Sequence, residues 1–176
     1  MPCVVKQQTL RQGASFSGLG LHSGNRVNMS FLPAPPNTGI RFRRVDLNGR
    51  PEIEASVEYV SETTRSTMLS KGNIKVQTVE HVLAALAGME VDNAIIELDA
   101  NEPPIADGSA REYTRMIEEA GTVVQAGPRE PYKVTTPIEL NRGDSTLNVF
   151  PHDRLKLTCT SADKQGRFVQ FYSVEL

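Results

Sequence analysis

The sequence predicts an α+β fold, and three patterns lead there. Val27, Met29 and Phe31 alternate with Asn28 and Ser30, the period-two signature of a half-buried strand. Short apolar segments follow one another through Gly, Asn and Pro turns, as in an antiparallel sheet. The period then changes to that of a helix in TVEHVLAALAGM, after a run of strands.

Taken in order, Ile40 and Phe42 mark a second strand, closed by Asp46-Leu47-Asn48-Gly49. The pattern continues from Ile53 to Val60. Thr67-Met68-Leu69 and Ile74-Lys75-Val76 then flank a tight turn at Lys71-Gly72-Asn73. In the first helix Val79, Val82, Leu83, Leu86 and Ala87 share one face, with Thr78 as N-cap and Gly88 as stop. NAIIELDA reads as a buried strand that Pro103-Pro104 breaks. A second helix is expected from about Ser109, turning Tyr113, Met116, Ile117 and Ala120 inward and ending at Gly121.

Gly127-Pro128-Arg129-Glu130-Pro131 reads as a linker, which divides the chain into a first domain at 1–126, a linker at 127–131 and a second segment at 132–176. That second segment is expected to be a four-strand meander: 132–140, 145–150, 155–160 and 168–174. No helical pattern is present to cover it, so the reading is of a second domain truncated to its opening strands.

Composition removes several function classes. Of the 176 residues, 39% are hydrophobic and 23% charged, ordinary for a globular protein. Aromatic residues make up 6%, Trp is absent and the net charge is −2, so neither stacking nor charge favours nucleic acid. No apolar stretch approaches the ~18 residues of a transmembrane span, and the first residues lack a secretory pattern. Cys3 and Cys159 form no CxxC pair, and a reducing, cytoplasmic setting is expected.

The chain contains three histidines. His22 lies in the glycine-spaced loop GLGLHSG, which lacks the lysine and the helix start of a phosphate loop; a flexible hairpin is the simpler account of it. His152, in Pro151-His152-Asp153, is expected to be an exposed turn residue. His81 follows Glu80 in the first turn of the first helix. Adjacent helical residues point roughly 100° apart. A histidine can therefore hold a metal while the neighbouring carboxylate reaches a water on it, the arrangement of metal-assisted hydrolysis. Glu80 is equally the residue a helix dipole favours in a first turn, and both readings stand at this point. Asp107-Gly108-Ser109-Ala110 reads as a substrate loop or, more simply, as a helix start.

In order and spacing, KQQTL, GLGLHSG, PAPPNTGIRFRRVDL, TVEHVLAALAGMEVDNAIIEL and PPIADGSA resemble the UDP-3-O-acyl-N-acetylglucosamine deacetylase family, zinc hydrolases of lipid A biosynthesis in Gram-negative bacteria. The resemblance implies two similar domains, each a two-layer β-sheet/helix sandwich, with the active site between them. The first would be complete here and the second incomplete. It implies that Glu80 is the catalytic general base, that His81 is a ligand to Zn2+, and that Leu21 and His22 bind substrate. It also implies a UDP-linked acylated glucosamine as substrate, with the remaining ligands, a histidine and an aspartate, beyond residue 176. A second catalytic histidine and a possible fused downstream domain would lie there too. On this reading the 176-residue chain alone is inactive; a binding or scaffold module derived from the first domain is the alternative.

Overall fold

The structure is a computed structural model that describes residues 5–163 and 165–175; Cys3 lies outside them. The chain forms two compact units, Met1–Arg129 and Glu130–Leu176. In chain order the first unit contains β1 (Lys6–Leu10), β2 (Ala14–Leu19), β3 (Arg26–Pro33), β4 (Ile40–Arg44) and β5 (Glu52–Glu54). It continues with β6 (Val60–Glu62), β7 (Met68–Lys71), β8 (Ile74–Val76), α1 (Glu80–Gly88), β9 (Ala94–Leu98), α2 (Arg111–Ala120) and β10 (Thr122–Pro128).

The principal sheet has the order β2-β3-β9-β4-β5. Its alternation is that of a half-buried sheet. Val27, Met29 and Phe31 on β3, Phe42 on β4, and Ala94, Ile96 and Leu98 on β9 are fully buried. They share one core with Val82 and Leu86 of α1 and with Tyr113, Met116 and Ile117 of α2. Each such side chain contributes roughly 1.5–3 kcal/mol on leaving water. The alternate positions are mostly polar, apart from the facing pair Leu32 and Ile95. Arg43 stands directly across from both Glu52 and Glu97, with its guanidinium 2.6 and 2.9 Å from their carboxylates. This is cross-strand pairing of opposite charges. Mixed helix and strand content with a single helix-covered core accords with the α+β expectation.

The structure corrects several boundaries. The 53–60 segment is not one strand: it breaks into β5, a 3-10 turn at Val57–Tyr59 and β6, which joins a different sheet. Ser56 starts the turn, its hydroxyl accepting from the Glu58 amide at 3.4 Å, a local bond that competes with the strand ladder. The sheet is not wholly antiparallel, because β4 and β9 run parallel. The chain between them carries β5 to β8 and α1, ample length for the crossover that parallel pairing needs. In α1, Ala85 rather than Ala87 is buried. Strand β10 occupies Gly127 and Pro128, where the sequence pointed to a linker, and pairs with β1.

The second unit contains β11 (Ile138–Arg142), β12 (Ser145–Val149), β13 (Lys156–Ala162) and β14 (Val169–Glu175). These form two separate hairpins, β11-β12 and β13-β14, rather than a continuous meander. Gly143, with φ of 58°, opens the two-residue turn of the first. Residues 132–137 are not strand, and none of the unit's described residues is buried. Cys159 is an exposed free thiol.

Candidate active site

Glu80 begins α1 and is half-buried; its Oε2 accepts the Thr67 amide at 3.0 Å. His81 follows in the same turn and is also half-buried. The expected N-cap does not form. Thr78 is buried with φ of 56°, a left-handed backbone that a β-branched residue rarely adopts. Its hydroxyl donates to Glu102 Oε1 at 2.8 Å. The residue at the cap position is Val79, which has no side-chain oxygen to offer the helix amides, and the Thr78 hydroxyl is turned to Glu102 instead.

Glu102 is the group that the sequence reading missed. It is fully buried, between β9 and the Pro103-Pro104 break. Besides Thr78, its carboxylate accepts the His22 amide on both oxygens at 3.1 Å and the Ser23 amide at 2.9 Å. Burial works to raise its pKa. The bonds from the His22 and Ser23 amides and the Ser23 and Thr78 hydroxyls outweigh this and hold it at about 2. It is therefore a carboxylate throughout the physiological range. The only signal in the sequence was an acidic residue next to a buried strand and ahead of two prolines.

The loop over this carboxylate is closed by Gly20 N–H to Asn25 O at 2.9 Å and Gly24 N–H to Gly20 O at 3.1 Å. Gly20 passes so close that an added Cβ would stand 2.3 Å from Ser23 Oγ and 2.5 Å from Glu102 Oε2. Leu21 and His22 project from this loop and are exposed. Residues 101–105 fasten both sides of the site. Asn101 O accepts the Gln77 amide and the Ile105 amide donates to Leu19 O, each at 2.9 Å. Tyr113 donates from beneath to Pro104 O. Burial first, then the charges of Glu102 and Glu80, raises the Tyr113 pKa well above that of a free phenol. The loop bearing Leu21 and His22 and the start of the helix bearing Glu80 and His81 are thus joined through one carboxylate.

The other candidates lie apart from this junction. Asp107 sits in an exposed loop, where the hydroxyl and amide of Ser109 bond to it and lower its pKa. The Ser109 hydroxyl accepts the Arg111 amide at 3.2 Å, so it supports the start of α2 from just outside the helix. His152 is an exposed turn residue in the second unit, with Nδ1 against Arg154. Among the described residues no three His, Cys, Asp or Glu side chains are gathered to hold a metal ion. Among them, too, no helix is long and apolar enough to cross a membrane.

A family of known proteins matches this chain over residues 7–176, the UDP-3-O-acyl N-acetylglycosamine deacetylases. Relatives called UDP-3-O-acyl-N-acetylglucosamine deacetylase include that of Idiomarina loihiensis, 42% identical over 155 residues, covering 88% of this chain and 51% of the relative. That of Cellvibrio japonicus is 45% identical over 154 residues, covering 88% and 51%. That of Methylococcus capsulatus is 41% identical over 157 residues, covering 89% and 52%. The chain spans about half the length of these curated relatives. A match over nearly its whole length, with the TVEH helix start and the GLGLHSG loop meeting at one buried carboxylate, has one consequence: the chain belongs to the UDP-3-O-acyl N-acetylglycosamine deacetylase family.

Proposed function

We propose that this chain is the first part of a zinc-dependent hydrolase that removes the N-acetyl group of UDP-3-O-acyl-N-acetylglucosamine, an early committed step of lipid A synthesis. The family match over residues 7–176 carries the reading. The relatives' printed name supplies the substrate and reaction. Residues up to about 126 form the first of two similar domains, and those from about 132 open the second. A nucleotide-linked sugar as substrate fits a cytoplasmic enzyme.

In this reading Glu80 is the general base. Its Oε2 is held by the Thr67 amide, which orients the carboxylate and leaves Oε1 to take a proton from water. Proton transfer by a positioned side chain contributes typically 10²–10⁴-fold. His81 supplies one imidazole toward zinc, and Leu21 and His22 border the substrate. Zinc, when bound, supplies a water of lowered pKa and a charge for the developing oxyanion. A catalytic zinc takes about three protein ligands, and the described residues do not assemble three. On this reading the remaining zinc ligands come from beyond residue 176, and this polypeptide by itself is expected to be inactive.

The test is acetate release from the UDP-linked substrate by the full-length protein carrying this chain. Glu80→Gln is expected to lower kcat by about 10²–10⁴-fold with little change in KM. His81→Ala is expected to lower zinc content together with activity. Wild-type turnover in both variants sinks the reading. So does turnover by residues 1–176 alone at the full-length rate.

A further inference from the structure

We infer that Glu102 is a positioning residue that sets the substrate-side loop 20–24 and the catalytic start of α1 in register with each other. The inference rests on the proposed function for its activity arm only; its structural arm stands without it.

Three observations carry it. First, one buried carboxylate receives bonds from two segments more than fifty positions apart in sequence: the His22 and Ser23 amides and the Thr78 hydroxyl. Secondly, Thr78 holds a left-handed backbone, at φ of 56°. Such strain costs of order 1–3 kcal/mol and persists only where surrounding contacts hold it. The bond to Glu102 is such a contact. The strained turn directs Val79 and then Glu80 into the helix, so the direction in which Glu80 and His81 leave the backbone depends on it. Thirdly, Gly20 leaves no room for a Cβ between the loop and Glu102, so the loop rests directly on the carboxylate. Glu102 itself is fully buried; it reaches the reaction through the backbone of His22 and through Thr78.

A purely structural carboxylate would stabilise the fold without linking these two segments, and the experiment separates the cases. In the 1–176 chain, amide exchange and chemical shifts of His22 and Ser23 are followed in Thr78→Val, Thr78→Ser and Glu102→Gln, with the β9 amides as the control for folding. Thr78→Val is expected to disturb the His22 and Ser23 amides across the carboxylate, and Thr78→Ser, which keeps the hydroxyl, to restore them. Glu102→Gln is expected to speed their exchange at least tenfold while β9 stays protected. In the full-length protein, Glu102→Gln is expected to lower kcat/KM for acetate release by about 10²-fold, the size of effect that small misplacements produce. It should raise KM and lower kcat together, since loop and helix both lose their reference. Thr78→Val added to Glu102→Gln should cost nothing more.

Loop amides that ignore Thr78→Val overturn the inference. A folded Glu102→Gln enzyme within twofold of wild type on both kinetic constants does so too. If the wild-type full-length protein releases no acetate, the proposed function fails instead, and the amide measurements alone decide the coupling.

Discussion

Replacing Glu102 by glutamine also makes a stability prediction with a defined pH signature. Folding holds this carboxyl at about 2 against an ordinary value of 4.5, and holding it there is worth at most about 3 kcal/mol. Only a short loop separates the group from solvent, so water softens the field and about 2 kcal/mol is the working figure. A lowered folded-state pKa gives stability that is fully present above the unfolded value of 4.5 and lost as pH falls toward about 2. The difference in unfolding free energy between wild type and Glu102→Gln, from urea titrations followed by circular dichroism, should therefore be constant from roughly pH 6 to pH 7. By about pH 3 more than half of it should be gone. Glutamine also turns an amide N–H₂ or a single carbonyl toward the His22 and Ser23 N–H groups, which adds a pH-independent loss. A difference equal at both ends of this range would refute the assignment of a buried, ionised Glu102 as the anchor of the loop.

Two further outcomes follow from the core. Phe31→Ala should cost about 3–5 kcal/mol in the same urea experiment, because Phe31 is fully buried with its ring 6.3 Å from that of Tyr113. Asn93→Ala should cost about 3 kcal/mol and speed exchange of the Gly39 amide. Buried Asn93 accepts that amide at 2.8 Å and donates to Gln7 and Gln125 at 2.9 and 2.7 Å. A Gly39 amide that exchanges at the wild-type rate would show that Asn93 does not hold it.

What the sequence made legible was local. The alternation of Val27, Met29 and Phe31 and the helical spacing of Tyr113, Met116, Ile117 and Ala120 report burial directly, and all seven are buried. Gly121, with φ of 67°, ends α2 where expected. Pairing partners were not legible, because the parallel match of β4 to β9 depends on chain that returns from more than fifty residues away. Strands β1, β2 and β10 were missed for a related reason. The burial patterns of β1 and β10 are irregular, that of β2 alternates but includes no fully buried residue, and β10 contains Gly127 and Pro128, residues that locally signal a break. The place of Glu80 and His81 in the first turn of α1 was legible from the helical spacing that follows them. Thr78 was read as a cap because threonine often is one. The carboxylate its hydroxyl meets, Glu102, lies 24 positions further on, and no local pattern announces that bond.

The pairing of β1 with β10, from Lys6 against Pro128 to Leu10 against Thr122, has a consequence for how the first unit is made. Its earliest strand waits for its latest. A ribosome would have to release nearly all of this unit before the clasp could shut, so the nascent chain would spend that interval with the β10 side of β1 open and in need of shielding. Zipping together such distant ends is slow in refolding as well, since a large loop must close before the ladder gives any return.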